Sequence, residues 1–307
     1  MIAPGFHRLS AEAYHADPCP VPSLSNSIAQ IMIERSPRHA WMAHPRLNPR
    51  HEREDRAAFD IGRAAHALLT GDPERFEIVD AADWRTKAAQ TARDAAYAAG
   101  KVPLLADRWA GVQAMAKAAR AQLARHDECA GAFQPGHGDA EATLIWQEGD
   151  TWLRSRLDWL SPERHLIVDY KTTSGSADPD SWSRTAFGMG YHIQAAFYRR
   201  AVEALFGKEA EFRLVVQEVA PPYALAVYAF NGDGLDLGER KVERALGLWR
   251  WCMKHDAWPA YSQHSYWIEP PPWLRQDEEL AGLRGEDVPD PETQRRLWAP
   301  LTEKDAA

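Results

Sequence analysis

In WLRSRLDWLSPERHLIVDYKT, Trp152–Thr172, two extended segments flank a turn. Side chains two apart on a strand point the same way. Arg154, Arg156 and Asp158 therefore share one face of the first segment, and Leu153, Leu157 and Trp159 do not share it. Asp169 and Lys171 share a face of the second, with Val168 and Tyr170 on the other. Ser161-Pro162-Glu163-Arg164 between them has turn composition. Asp169 follows the apolar run Leu166-Ile167-Val168, which places it where a buried strand emerges. Two carboxylates and an amine are thus expected to converge on adjacent strands.

Working outward, Glu141, Thr143 and Ile145 alternate with Ala142, Leu144 and Trp146, and Glu148-Gly149-Asp150 reads as a hairpin turn. Strands at roughly 140–147, 151–159 and 165–172 form an antiparallel meander. Beyond the polar loop Ser174–Pro179, a helix is expected at about 189–206, with Tyr191, Ile193, Ala195, Phe197, Val202 and Leu205 as apolar positions and Gly207 as its stop. Gln194 and Tyr198 are one turn apart on it. EFRLVVQEVA and YALAVYAF read as two further strands, followed by a helix from about 233 to 255.

Upstream, the first residues read as irregular and proline-rich. Ser23–Ser27 caps a helix carrying Ile28, Ile31 and Ile33, which Ser36-Pro37 ends or bends. A second helix starts near Ala57, with Phe59, Ile61, Ala65, Leu68 and Leu69 on a buried face and Gly62 and His66 sharing another; Gly71-Asp72-Pro73 ends it. Residues 82–126 are alanine-rich, a helical hairpin broken at Gly100–Pro103 that serves as packing layer or lid.

This order gives an α/β fold: a mixed central β-sheet flanked by helices, with an N-terminal helical region. One domain is expected over 1–270, with the helical insertion at about 82–126. An acidic, proline-containing extension follows over 271–307. YWIEPPPWL, which leads into it, reads as an extended surface segment, and the tryptophans Trp249, Trp251 and Trp258 as packing or a subunit contact.

The chain has 307 residues, enough for a core without staples. Three scattered cysteines exclude a disulfide framework and suit a reducing compartment, so a cytoplasmic location is expected. No run approaches a membrane span, and the first residues lack a signal-peptide core. The formal net charge is −8, and residues 275–307, with nine acids and five bases, carry −4 of it. That argues against a general nucleic-acid coat and leaves room for a local basic groove.

Hard cations such as Mg²⁺ take oxygen ligands. Asp158 and Asp169 supply two carboxylates, and the backbone carbonyl of Tyr170 could supply a third oxygen. Such a site serves phosphodiester hydrolysis, with Lys171 stabilising the transition state or orienting water. Arg154 and Arg156 either bind phosphates or pair with carboxylates, and Arg35, at the Ser36-Pro37 bend, is a candidate for a terminal phosphate.

Gly62-xxx-His66, Glu141, Asp158, Asp169-Tyr170-Lys171 and Gln194-xxx-Tyr198, in that order, resemble the PD-(D/E)xK nuclease superfamily with its restriction-endonuclease-like core. LSNSIAQI, SPRHAWM, GRAAHALL and YHIQAAFYRRAVEALFG are most similar to RecE-type (exonuclease VIII) phage recombination exonucleases, in the branch that holds the RecB nuclease domain and lambda exonuclease. The resemblance spans about residues 22–230. It implies metal ligation by His66, Asp158 and Asp169, and a catalytic role for Lys171. It also implies DNA-contacting or orienting roles for Gln194 and Tyr198, and a supporting or second-metal role for Glu141. Mg²⁺ is the implied ion, with Mn²⁺ able to substitute. Three cysteines depart from the four used by iron–sulfur members, so no cluster is expected. The implied activity is a 5′-to-3′ exonuclease on linear double-stranded DNA in recombination or repair within a bacterial host cell. A single-strand or flap endonuclease, or an inactive DNA-binding subunit, are the alternatives. The implied partners are DNA ends, a single-strand annealing protein and further copies of the chain in a ring.

Overall fold

The computed structural model describes residues 2–51, 61–71, 76–99, 101–284 and 292. Two units result, Met1–Ala260 and Tyr261–Ala307. The first begins with β1 (Gly5–His7), α1 (Ala11–His15), β2 (Leu24–Ser25), α2 (Asn26–Glu34) and α3 (Pro37–Ala43). There follow α4 (Ile61–Thr70), β3 (Phe76–Val79), α5 (Lys87–Ala98), β4 (Val102–Leu105) and α6 (Ala106–Leu123). The meander is β5 (Asp139–Glu148), β6 (Thr151–Leu160) and β7 (Leu166–Thr173). Next come α7 (Pro179–Gly188), α8 (Tyr191–Phe206), β8 (Glu211–Glu218), β9 (Leu225–Tyr228) and α9 (Gly232–His255).

The main sheet runs β1-β5-β6-β7-β8-β9, with β2 also paired to β6. It is mixed: β7 and β8 are parallel, as are β2 and β6, and the other neighbours are antiparallel. One core lies between the sheet and α2, α8 and α9, and includes Leu153, Leu157, Ile167, Phe197 and Trp249. A second lies on the α4 and α6 side and includes Leu69, Met115, Trp159, Val168 and Tyr170. The helices pack where side chains are small. A Cβ on Gly238 of α9 would stand 2.2 Å from the His192 carbonyl of α8, so only glycine fits that crossing.

Several expectations change. The proline-rich start contains β1, α1 and β2, elements too short to leave a periodic pattern. The break in the alanine-rich insertion is β4, which pairs in parallel with β3 to make a separate two-stranded sheet. The chain divides after Ala260, so the aromatic stretch goes with the tail. In that second unit α10 (Pro272–Arg284) takes the end of YWIEPPPWL, which is therefore extended only before it. The start of the α4 helix near Ala57, with Phe59, lies outside the described residues, as does its Asp72-Pro73 stop. Trp249 is buried against His44 and Trp258, a packing role, and Trp251 is exposed beside His255.

Candidate active site

The site is set by a change of partner along β6. Its first half pairs with β2 at Leu24↔Leu153 and Ser25↔Arg154. On that edge its second half pairs with β7, only at Trp159↔Val168 and Leu160↔Ile167. The strands part where the next pair would join Asp158 to Asp169. On the other edge, Ala140↔Trp159 and Ala142↔Leu157 place Glu141 opposite Asp158. Three acids thus lie in one row across β5, β6 and β7.

The alternation slips at this row. Leu153 and Leu157 enter the α8-side core, but Trp159 enters the α4-side core and Leu160 returns to the first. Leu157 and Trp159 therefore do not share a face as strict alternation predicts. Glu141 is the backbone irregularity, with φ of 52° in the left-handed region. A non-glycine residue held there stores strain of the kind found at functional sites.

Where β6 and β7 part, a side chain replaces the ladder. The Tyr170 N–H donates to Asp158 Oδ2 at 2.8 Å. The N–H and C=O of one strand residue point to the same neighbour, so the Tyr170 carbonyl also faces the gap. The Tyr170 ring points to the opposite core, where its hydroxyl donates to Gln217 Oε1 at 2.6 Å.

His66 reaches the row from α4. Its Nε2 is 3.1 Å from Asp158 Oδ1 and its Nδ1 is 3.6 Å from Glu141 Oε1. Arg156 holds Glu141 from the other side through Nε, and its Nη1 donates to the Leu9 carbonyl at 3.0 Å. From α8, Gln194 Nε2 donates to Asp169 Oδ1 and to the Tyr198 hydroxyl, each at 2.9 Å. Lys171 Nζ lies 2.5 Å from Asp169 Oδ2, the lysine side chain a quarter exposed and the aspartate fully buried. Beyond this ion pair, Asp169 Oδ2 has no other partner among the described residues.

The acids are electrostatically unequal. Burial raises Asp169 above the usual carboxylate range, against the pull of Lys171. Burial also acts to raise Asp158, but the His66 charge and hydrogen bond, Lys171 and the Tyr170 N–H together lower it. Burial would lower His66, yet Asp158 and then Glu141 outweigh it and raise the imidazole to about 9. A pair of carboxylates pushed apart in this way is an arrangement that active sites and buried ion-pair networks share.

Among the described residues no three His, Cys, Asp or Glu side chains form a ready metal shell. The donor set nonetheless suits a hard divalent cation, because it offers two carboxylates and a carbonyl in the gap.

Seven residues singled out from sequence therefore meet: His66, Glu141, Asp158, Asp169, Lys171, Gln194 and Tyr198. The Tyr170 carbonyl faces the same gap, and the three arginines lie differently. Arg156 pairs with Glu141. Arg154 is 3% exposed and donates to Ser23, beside Asp17, so it is a packing residue and not a phosphate contact. Arg35 is exposed at the end of α2. Sequence reading passed over Tyr191 as an apolar helix position. Its ring lies over Lys171, and its spacing of three from Gln194 was the available signal.

The family described as a PDDEXK-like domain of unknown function (DUF3799) matches residues 29–269. A solved protein from Eubacterium rectale, provisionally named an exonuclease, has the same fold with a TM-score of 0.56 and 14% identity, over 88% of this chain and 98% of its own. Another solved structure, SSO0001, overlaps 41% of this chain and 62% of its own at 16% identity, with a TM-score of 0.24. No curated protein matches the chain.

Proposed function

From a chain that belongs to the PDDEXK-like family over residues 29–269, we propose a Mg²⁺-dependent deoxyribonuclease that degrades linear duplex DNA from its ends. One observation carries this reading. In the gap between β6 and β7, the buried Asp169 carboxylate pairs with the Lys171 ammonium at 2.5 Å, in one row with Asp158 and Glu141. Buried acids gathered beside an amine, with their proton affinities pushed apart, are an arrangement that active sites use.

A divalent cation, when bound, supplies a Lewis acid for the scissile phosphate and a more acidic water. Asp158, Asp169, the Tyr170 carbonyl and His66 would hold it. His66, raised to about 9, would ligate only after giving up a proton, which a neighbouring cation favours. Gln194 fixes Asp169 through Oδ1 and so leaves Oδ2 turned to the gap. Arg156 and Glu141 steady the imidazole from behind. Lys171 places a positive charge where negative charge grows on the phosphate as its ester breaks.

The likeness of the motif set to RecE-type exonucleases supports 5′-to-3′ polarity, a 3′ overhang passed to a single-strand annealing protein, and a ring of several copies around DNA. The E. rectale neighbour's name supports an exonuclease as well. The test compares end-labelled linear duplex with covalently closed circles, in Mg²⁺ or EDTA. Mg²⁺-dependent loss of the linear DNA alone is expected. Nicking of circles would make it an endonuclease, and DNA binding without any product would make it an inactive subunit.

A further inference from the structure

Lys171 has a second neighbour besides Asp169. Its ammonium lies 5.3 Å from the centroid of the Tyr191 ring, at the first turn of α8. A cation within about 6 Å of an aromatic face is held by the ring quadrupole. The Tyr191 ring is itself fixed. It stacks on Trp182 of α7 at 6.0 Å with planes 5° apart, and Trp182 is 5% exposed. Trp182 stacks in turn on Tyr228 of β9 at 6.0 Å, and the Tyr228 hydroxyl donates to the Ala177 carbonyl.

The spacing matches. Asp169 and Lys171 are two apart on β7, while Gln194 and Tyr191 are three apart on one face of α8. Gln194 holds Asp169 and Tyr191 meets Lys171, so each of these β7 residues has its own α8 partner. The Tyr191 hydroxyl donates to no described residue, so the contact with the site is made by the ring. Lysine is a point charge on a flexible four-carbon stem, and the ring gives its ammonium a second neighbour. A divalent cation at Asp169 would draw on the same carboxylate that pairs with the ammonium, and the ring would not be shared in that way.

We propose that Tyr191 is a positioning residue, whose ring face keeps the Lys171 ammonium at the Asp169 carboxylate. Its consequence for cleavage rests on the nuclease reading, and the placement itself does not.

The test uses full-length wild type, Tyr191→Leu and Tyr191→Phe. Limiting acetylation by an N-hydroxysuccinimide ester, read by mass spectrometry against the exposed Lys254, reports how freely Lys171 moves. We expect Tyr191→Leu to raise Lys171 labelling about fivefold, and Tyr191→Phe to stay within about twofold of wild type. In single-turnover cleavage of labelled duplex with Mg²⁺, Tyr191→Leu should be about tenfold slower at saturating enzyme, with half-saturation little changed, and Tyr191→Phe should restore the rate. Tyr191→Met, close in volume, makes the same comparison if the leucine variant does not fold. Unchanged labelling in the ring-less variants, or a phenylalanine variant as impaired as they are, would overturn the proposal. Labelling as expected in proteins that never cleave, wild type included, would support the positioning and refute the nuclease reading.

Discussion

Asp17 and Asp169 are both buried aspartates with a cationic partner from the main sheet, and they differ in what their oxygens meet. Asp17 follows α1 in a left-handed conformation, φ 61°. Its Oδ1 accepts from the Ser23 hydroxyl at 2.7 Å and its Oδ2 from the Ser23 N–H at 2.8 Å. Arg154 lies 3.3 Å away and His44 Nε2 3.4 Å away. Burial would raise this carboxyl, but His44, Arg154 and Ser23 together hold it below its ordinary value. Asp169 accepts one hydrogen bond from Gln194 through Oδ1 and meets Lys171 through Oδ2, and burial raises it. The same residue type makes opposite sites: Asp17 meets four polar groups of Ser23, Arg154 and His44 and fastens the N-terminal segment, α3 and β6 together, whereas Asp169 meets two and sits where β6 and β7 part. Residue identity does not separate structure from chemistry here; the number of partners and the direction in which the carboxyl is shifted do.

The comparison breaks if either site behaves like the other. The largest effect expected is on cleavage. Lys171→Ala and Asp169→Ala should each slow it by at least about 10³-fold while the protein stays folded, as measured by single-turnover rates and thermal melting. Asp17→Asn should do the reverse. Removing the charge leaves Arg154 buried without its partner, at a cost of about 3 kcal/mol, with the rate per folded molecule unchanged. Denaturant melts beside rates corrected for folded fraction check this.

A smaller effect sharpens the same point. A carboxyl held below its ordinary value stabilises the fold fully above its unfolded value, 3.8, and that stability is lost as pH falls through the folded value. The stability gap between wild type and Asp17→Asn should therefore be constant from about pH 7 to 5. It should close as the pH is lowered beneath 3.8. A gap that persists in acid would mean the asparagine fails for reasons of shape.

How far this was legible follows from element length and from where partners lie. β5, β6, β7, α8 and α9 are long enough to show their period, and the site motifs ride on them. Asp17 and His44 were not legible. Asp17 opens DPCPVPSL and His44 follows α3, and the Asp17 partner Arg154 lies more than a hundred positions away. β4 was hidden because VPLL between alanine-rich helices reads as a helix break. The acid row could have been found. A two-residue turn at Gly149-Asp150 fixes Glu148 opposite Thr151, and counting back seven residues places Glu141 opposite Asp158. The slip that sends Trp159 to the other core could not, because it coincides with the left-handed backbone of Glu141, which leaves no mark on the sequence pattern.

Whether Asp169 and Lys171 form the reacting centre is tested most directly by release of label from linear duplex DNA in Mg²⁺, at matched concentrations of folded wild type, Lys171→Ala and Asp17→Asn. We expect equal rates for wild type and Asp17→Asn, and no release by Lys171→Ala. Release by Lys171→Ala at the wild-type rate would contradict that assignment.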